Sequence, residues 1–301
     1  MRKFLIYGLL FLIPIVLFLA SLEIMVHNIP NSYSYKYNYV KTYGDGIQAI
    51  SMGHSQMYDG FMPEVFKLKA FNLCNSAQSY KEDYYILREL LSYLPNLEYV
   101  ILPIGYMNVV DYSNEGFTER STFYYEYMNV SYDNKIPIKY RYEFLDPQRA
   151  LDKITSYYLH NVDIVGCDSL GRRSTHSYKD RQHELGYEKV LYDYTVKTHD
   201  KRNMTIQVAD YLERILVILN AENIKVVLVS LPHYWACFDQ KNKEQEEFLH
   251  DYIKELKGKH VFQYINLEKD IRFEDKDYYN ETHLSEIGAK KFTKILNDSI
   301  F

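Results

Sequence analysis

Five short apolar runs, each closed by turn residues, leave this chain few folds to choose from. They occupy residues 47–52, 70–74, 99–104, 224–231 and, less sharply, 261–267. The first stops at Gly53-His54-Ser55, the second at Asn75-Ser76, the third at Gly105 and the fourth at Pro232-His233. Brief runs of this kind are the mark of strands buried on both faces of a parallel sheet. Between them, residues 81–94, 205–220, 244–256 and 285–296 carry apolar side chains at helical spacing. Strand alternating with helix predicts an α/β fold, three layers deep (α/β/α), with a central parallel sheet. Ligands of such sheets collect at the carboxyl ends of the strands. Ser55, Asn75, Gly105 and His233 all fall there. Residues 111–204 break the rhythm with tyrosine, charge and uneven apolar pieces, and read as one insertion that overhangs the site.

The N-terminus adds a second constraint. Arg2 and Lys3 precede an uncharged apolar run over residues 4–20, and Glu23 is the first charge after it. About 20 residues of helix cross a bilayer core, and Pro14 is tolerable in lipid. The positive flank predicts a cytoplasmic N-terminus and a single-pass membrane protein with its main domain outside. A cleaved signal peptide is the alternative. Phe18 and Leu19 before Ala20 depart from the small-x-small cleavage pattern and favour an anchor. The expected organisation is an anchor over 1–26, a polar Tyr-rich linker over 27–45, and a domain over 46–301 with the insertion inside it.

Composition narrows the function classes. The net charge of −5 argues against nucleic acid as a partner, because phosphate contacts need clustered Lys and Arg. The three cysteines, Cys74, Cys167 and Cys237, lack metal-ligand spacing, and an odd number leaves any intrachain disulfide framework incomplete. No DxDxDG, HExxH, GxGxxG or P-loop string is present, so no metal or cofactor is expected.

Two residues carry the chemistry. Ser55 follows a buried strand at a point where Gly53 permits a tight turn and the next helix begins, so backbone N–H groups can stabilise an oxyanion there. Its bland reading is a helix cap. A serine hydroxyl is a poor nucleophile without a base, and His283 supplies one, in a loop just before the last helix. Asn280 or Asp277 can accept the proton on its other ring nitrogen. His54 is a candidate substrate contact or turn stabiliser. His233 and Tyr234 read equally as pocket wall or plain loop. In the insertion, Arg172, Arg173, Tyr124, Tyr125 and Tyr127 are candidates for gripping a sugar, against solvated surface.

Taken together these blocks resemble the SGNH (GDSL-like) hydrolase superfamily, and in particular its membrane-anchored members that handle acyl groups on cell-surface polymers. Gly53-His54-Ser55 matches the nucleophile block, with histidine in place of aspartate. Asn280-Glu-Thr-His283-Leu matches the late Asp-x-x-His block, with asparagine in the aspartate position, and Gly288-Ala289 resembles its continuation. Phe71-Asn-Leu-Cys-Asn-Ser-Ala77 is similar to the second block, with Ala77 where an oxyanion-hole glycine is usual. Gly105-Tyr-Met-Asn108 echoes the third block, its asparagine one residue late. The resemblance spans residues 46–110 and 205–300.

It implies a flavodoxin-like SGNH fold and a serine-dependent acyl-ester hydrolase or O-acyltransferase. Ser55 would be the nucleophile and His283 the base, and the N–H groups of Ser55 and Ala77 would hold the oxyanion, with Asn108 and Gly105 nearby. Expected partners are an acylated extracytoplasmic glycan or cell-envelope polymer, the membrane, and envelope-assembly proteins. The substitutions at 54, 77 and 280 motivate the alternative of a weakly catalytic domain that binds polysaccharide or a partner.

Overall fold

The structure is a computed structural model; it describes residues 2–106, 119–138, 141–162, 164–173, 175–181, 184–186, 206–241 and 243–301. The chain divides into two compact units. One comprises Met1–Tyr35 with Phe117–Gly166, the other Lys36–Gly116 with Cys167–Phe301.

The larger unit is built on five parallel strands: β1 (Ala49–Ser51), β2 (Ala70–Asn72), β3 (Tyr99–Pro103), β4 (Lys225–Ser230) and β5 (Gln263–Asn266). Their order is β2-β1-β3-β4-β5, a doubly wound arrangement that changes winding direction beside β1. Every apolar run expected to be a strand is one. Both faces are covered, as a parallel sheet requires. Ala49, Ile101, Val227 and Val229 pack into a buried cluster with Met57, Phe61, Phe292 and Leu296. The alternate residues Ile50, Val100, Leu102 and Leu228 are also fully buried, on the opposite face by strand alternation.

The helices of this unit are α2 (Ser32–Tyr43, from Lys36 onward), α3 (Ser55–Gly60) and α4 (Tyr80–Leu90). In the smaller unit lie α1 (Arg2–His27), α5 (Glu119–Met128) and α6 (Pro147–Ile154). The larger unit continues with α7 (Ile206–Ala221), α8 (Lys243–Lys259), the two-stranded ladder of β6 (Tyr278–Asn280) and β7 (His283–Leu284), and α9 (Glu286–Ile300). α4 packs against α7, and α3 against α9. A capping box fixes the start of α4: the Ser79 side chain accepts from the first turn while Glu82 reaches back to the Ser79 N–H, 3.1 Å away.

One expectation needs correction. Residues 27–45 are not a bare linker, because residues 32–43 form α2. Lys36 and Val40, one helical turn apart, are fully buried, and the Tyr39 ring stacks on Phe71 with centroids 4.3 Å apart. Aromatic side chains on a polar sequence thus supply the packing that ordinary helical hydrophobes would. Within the 111–204 segment, the described residues from 119 to 166 fall in the smaller unit and those from Cys167 in the larger.

In the smaller unit, α1 runs apolar from Ile6 to His27 and is long enough to cross a membrane; a signal sequence has the same character. Its last turns are tied down. The Glu23 carboxylate accepts the Glu143 and Phe144 N–H groups at 3.2 and 3.0 Å, and His27 stacks on Tyr127.

Candidate active site

The carboxyl end of β1 turns sharply at Gly53, whose φ is +110° and where a Cβ would lie 2.5 Å from the Pro103 ring. Only glycine fits that turn, which delivers the chain straight into α3. His54 is the N-cap, its Nδ1 accepting the Gln56 N–H at 3.4 Å. It therefore stabilises the turn, one of the two roles open to it. Ser55 opens the helix.

At the other end of the chain, a tight β6–β7 turn presents His283. The Ser55 hydroxyl lies 2.8 Å from His283 Nε2 across 228 residues of sequence. A histidine tautomer is normally inferred from its neighbours, and here the neighbours fix it. Asn280 Oδ1 accepts the backbone N–H of Thr282 at 3.1 Å and that of His283 at 2.9 Å. The atom facing the ring is therefore the amide oxygen, an acceptor. It lies 2.9 Å from His283 Nδ1, so Nδ1 carries the hydrogen and donates. Nε2 is left with its lone pair aimed at the serine hydroxyl. Of the two partners that were open for His283, Asn280 makes the contact. Asp277 is fully buried elsewhere, pairing with Lys291 and accepting the Glu274 N–H at 2.7 Å.

Burial pushes the His283 imidazole down to about 4, the nearby Asp59 carboxylate opposing that and Arg173, His176 and His54 reinforcing it. At neutral pH it is an uncharged base. Asp59 is the residue that motif reasoning missed. Its fully buried carboxylate takes two bonds from Arg173, at 2.5 and 2.6 Å. It lies 2.8 Å from His176 Nδ1 and 4.0 Å from His283 Nε2. Burial alone would raise its pKa, but the bonds from His176 and Arg173 hold the carboxyl below the usual range. A signal was available: Asp59 stands four residues after Ser55 on one short helix, hence on the same face. His176 and Arg173 come from an irregular segment without periodicity, and nothing in the sequence ties them to the site.

Arg173 also donates to Ser76 Oγ at 3.1 Å, linking α3 to the loop after β2. That loop carries Ala77, exposed and left-handed at φ 51°, a conformation suited to the glycine usual at this place. Arg172 is buried, its Nε on the Asp59 carbonyl at 3.0 Å. Neither arginine is a free sugar-binding arm. Tyr124 and Tyr127 are likewise buried, in the smaller unit, the latter donating to Glu143; Tyr125 is exposed.

His233 is buried and held neutral, well below its ordinary pKa, by burial and by the positive charge of Lys241. Its Nε2 accepts from the Gln56 amide at 2.9 Å, and the same amide donates to the Thr282 carbonyl at 2.9 Å. It braces α3 against the His283 turn and is not an open pocket wall. The Gly53 N–H is already engaged, donating to Asp83 at 3.0 Å. Gly105 lies just past β3, while Asn108 lies outside the described residues. Among the described residues no cluster of His, Cys, Asp and Glu is arranged to hold a metal ion.

No family model matches the chain, and no curated protein does. Solved structures resemble it at low identity. A structure described as a platelet activating factor from Streptococcus pneumonia is 10% identical with a TM-score of 0.43, covering 97% of this chain and 99% of its own. An acylhydrolase from Bacteroides fragilis is 11% identical with a TM-score of 0.39, covering 87% and 93%. A GDSL-like lipase from Bacteroides thetaiotaomicron is 11% identical with a TM-score of 0.40, covering 89% and 100%.

Proposed function

We propose that the protein is a serine-dependent acyl-ester hydrolase or O-acyltransferase, held to a membrane by α1 and acting on an acylated extracytoplasmic glycan or envelope polymer. The observation that carries this is the Ser55–His283–Asn280 chain of hydrogen bonds, with the imidazole locked in the tautomer that a base needs.

In the first half-reaction the Ser55 oxygen attacks the acyl carbonyl carbon while His283 Nε2 takes the hydroxyl proton. The carbon–oxygen bond to the alcohol then breaks, and His283 returns the proton to the departing oxygen. Water attacking the acyl-serine completes a hydrolysis; a sugar hydroxyl completes a transfer. The N–H groups of Ser55 and Ala77 are the candidates for holding the oxyanion. Because Asn280 is neutral, it orients the imidazole but does little for the positive charge that develops on it. Asp59, 4.0 Å from Nε2, is suited to that part, tempered by its own pairing with Arg173.

The glycan reading rests on the apolar helix and on the sequence resemblance, and hydrolysis and transfer both proceed from the same acyl-serine. Phe18 and Leu19 before Ala20 depart from the small-x-small cleavage pattern, which favours a retained anchor over a cleaved signal.

The test uses full-length protein in detergent. A fluorophosphonate should label the peptide bearing Ser55, and the adduct should be lost in Ser55→Ala and His283→Ala; acetate release from a panel of acetylated glycans should fall in parallel by roughly 10³-fold or more. Absence of any adduct on folded protein would sink the enzyme and favour a polymer-binding module.

A further inference from the structure

The smaller unit carries a row of exposed apolar side chains close to where α1 ends. Leu145 is 44% exposed, Leu151 48%, Tyr158 42% and Leu159 71%. The position of this row is set by three contacts. α6 packs against α1. The N–H groups of Glu143 and Phe144, directly before Leu145, are held by the Glu23 carboxylate. The Tyr158 hydroxyl, in the π-helical turn Thr155–Leu159 that continues α6, donates to the Met25 carbonyl at 3.1 Å. Leu151 and Ile154 lie at i and i+3 on α6, ahead of the π-helical turn that brings Tyr158 to α1.

We infer that the segment from Leu145 to Leu159 is a foot that lies in the headgroup layer of the bilayer, beside the emerging α1 helix. The inference rests on the membrane reading of α1, and its depth follows from helix geometry. The uncharged run ends at Leu22, directly before Glu23. At the α-helical rise, residues 23–27 stand roughly 1.5–7.5 Å beyond the run's end. The polar layer of each leaflet is about 5–8 Å thick, from the difference between hydrocarbon and total thickness. Residues tied to Glu23 and Met25 therefore stand at headgroup level. Apolar side chains exposed there meet the acyl boundary, as an interfacial amphipathic helix does. Helix α6 has the matching composition, with Arg149 and Lys153 interleaved among Ala150, Leu151 and Ile154. Lipid is thus the chemistry that fits this surface, with a tyrosine at the wet end.

The test places single tryptophans in the full chain, in a Trp235→Phe background that removes its one native indole. Leu151→Trp and Leu159→Trp report on the foot, and Leu10→Trp on the span. The proteins are reconstituted in vesicles of phosphatidylcholine and phosphatidylglycerol carrying lipids brominated near the headgroup or deep in the chain. The expected result is loss of emission at 151 and 159 with the shallow label and at 10 with the deep one. Quenching at 10 with none at 151 or 159 overturns the foot while leaving the anchor, and favours a protein partner on this surface. Absence of quenching at all three positions overturns the anchor reading and the foot with it.

Discussion

The residue that fixes the imidazole's tautomer is Asn280. Where a carboxylate is usual, replacing it by an amide costs about 10⁴ in kcat in the serine-protease example, largely because the amide selects the wrong imidazole tautomer. Here two backbone N–H groups commit the Asn280 oxygen to face the ring, so the proposed mechanism does not incur that penalty. Asn280→Ala removes this selection and should lower kcat about 10²-fold or more. Asn280→Asp adds negative charge and should raise the His283 pKa. The sign matters. The base must be unprotonated, so kcat/KM is flat above the His283 pKa and falls below it; with the imidazole pushed down to about 4, the wild-type acid limb lies near that value. Asn280→Asp moves the limb to higher pH. Asp59→Asn does the opposite, because the carboxylate that favours the charged imidazole is gone and Arg173 is left facing it: the limb moves down while kcat falls roughly tenfold. A purely structural loss would lower the rate without displacing the limb, so pH–rate profiles of the two variants separate these cases.

At the scale of elements, the strand ends were legible and their trimmings were not. A buried strand followed by Gly53-His54-Ser55 announces its turn, since only glycine adopts φ +110° against the Pro103 ring. Gly53→Ala should therefore cost about 1–3 kcal/mol in chemical denaturation, and it should reduce labelling at Ser55 by misplacing α3. Ala77→Gly should run the other way. It relieves a left-handed alanine worth about 1–2 kcal/mol, partly offset by the added freedom of glycine in the unfolded chain, and should leave activity intact. Gly288 is required for another reason: a Cβ there would stand 2.0 Å from the Asp277 carbonyl, where α9 starts against the turn before β6. α2 escaped notice because its sequence is polar and its burial rests on Val40, the stem of Lys36 and half-buried tyrosine rings. His176 and Arg173 escaped because irregular backbone has no period to read.

For the whole molecule, the fold was readable because a parallel sheet demands continuous apolar runs, and those are visible in one sequence. The division into two units was not, since it depends on contacts between segments far apart in the chain. If α1 is a retained anchor, the full-length protein should stay with the membrane through alkaline carbonate extraction, and protease added outside intact cells stripped of their wall should remove the sheet unit. The Glu23 cap has a further consequence, for the order of assembly. Its donors, Glu143 and Phe144, follow 120 and 121 residues later, after β1, β2 and β3 have been made but before β4 and β5. During synthesis the Glu23 carboxylate of α1 therefore waits for its donors while more than half of the sheet's strands emerge, and its docking closes a long loop of chain whose entropic cost slows folding. A chaperone or neighbouring membrane protein that shields the end of α1 in that interval would act on yield and leave the finished protein's turnover unchanged.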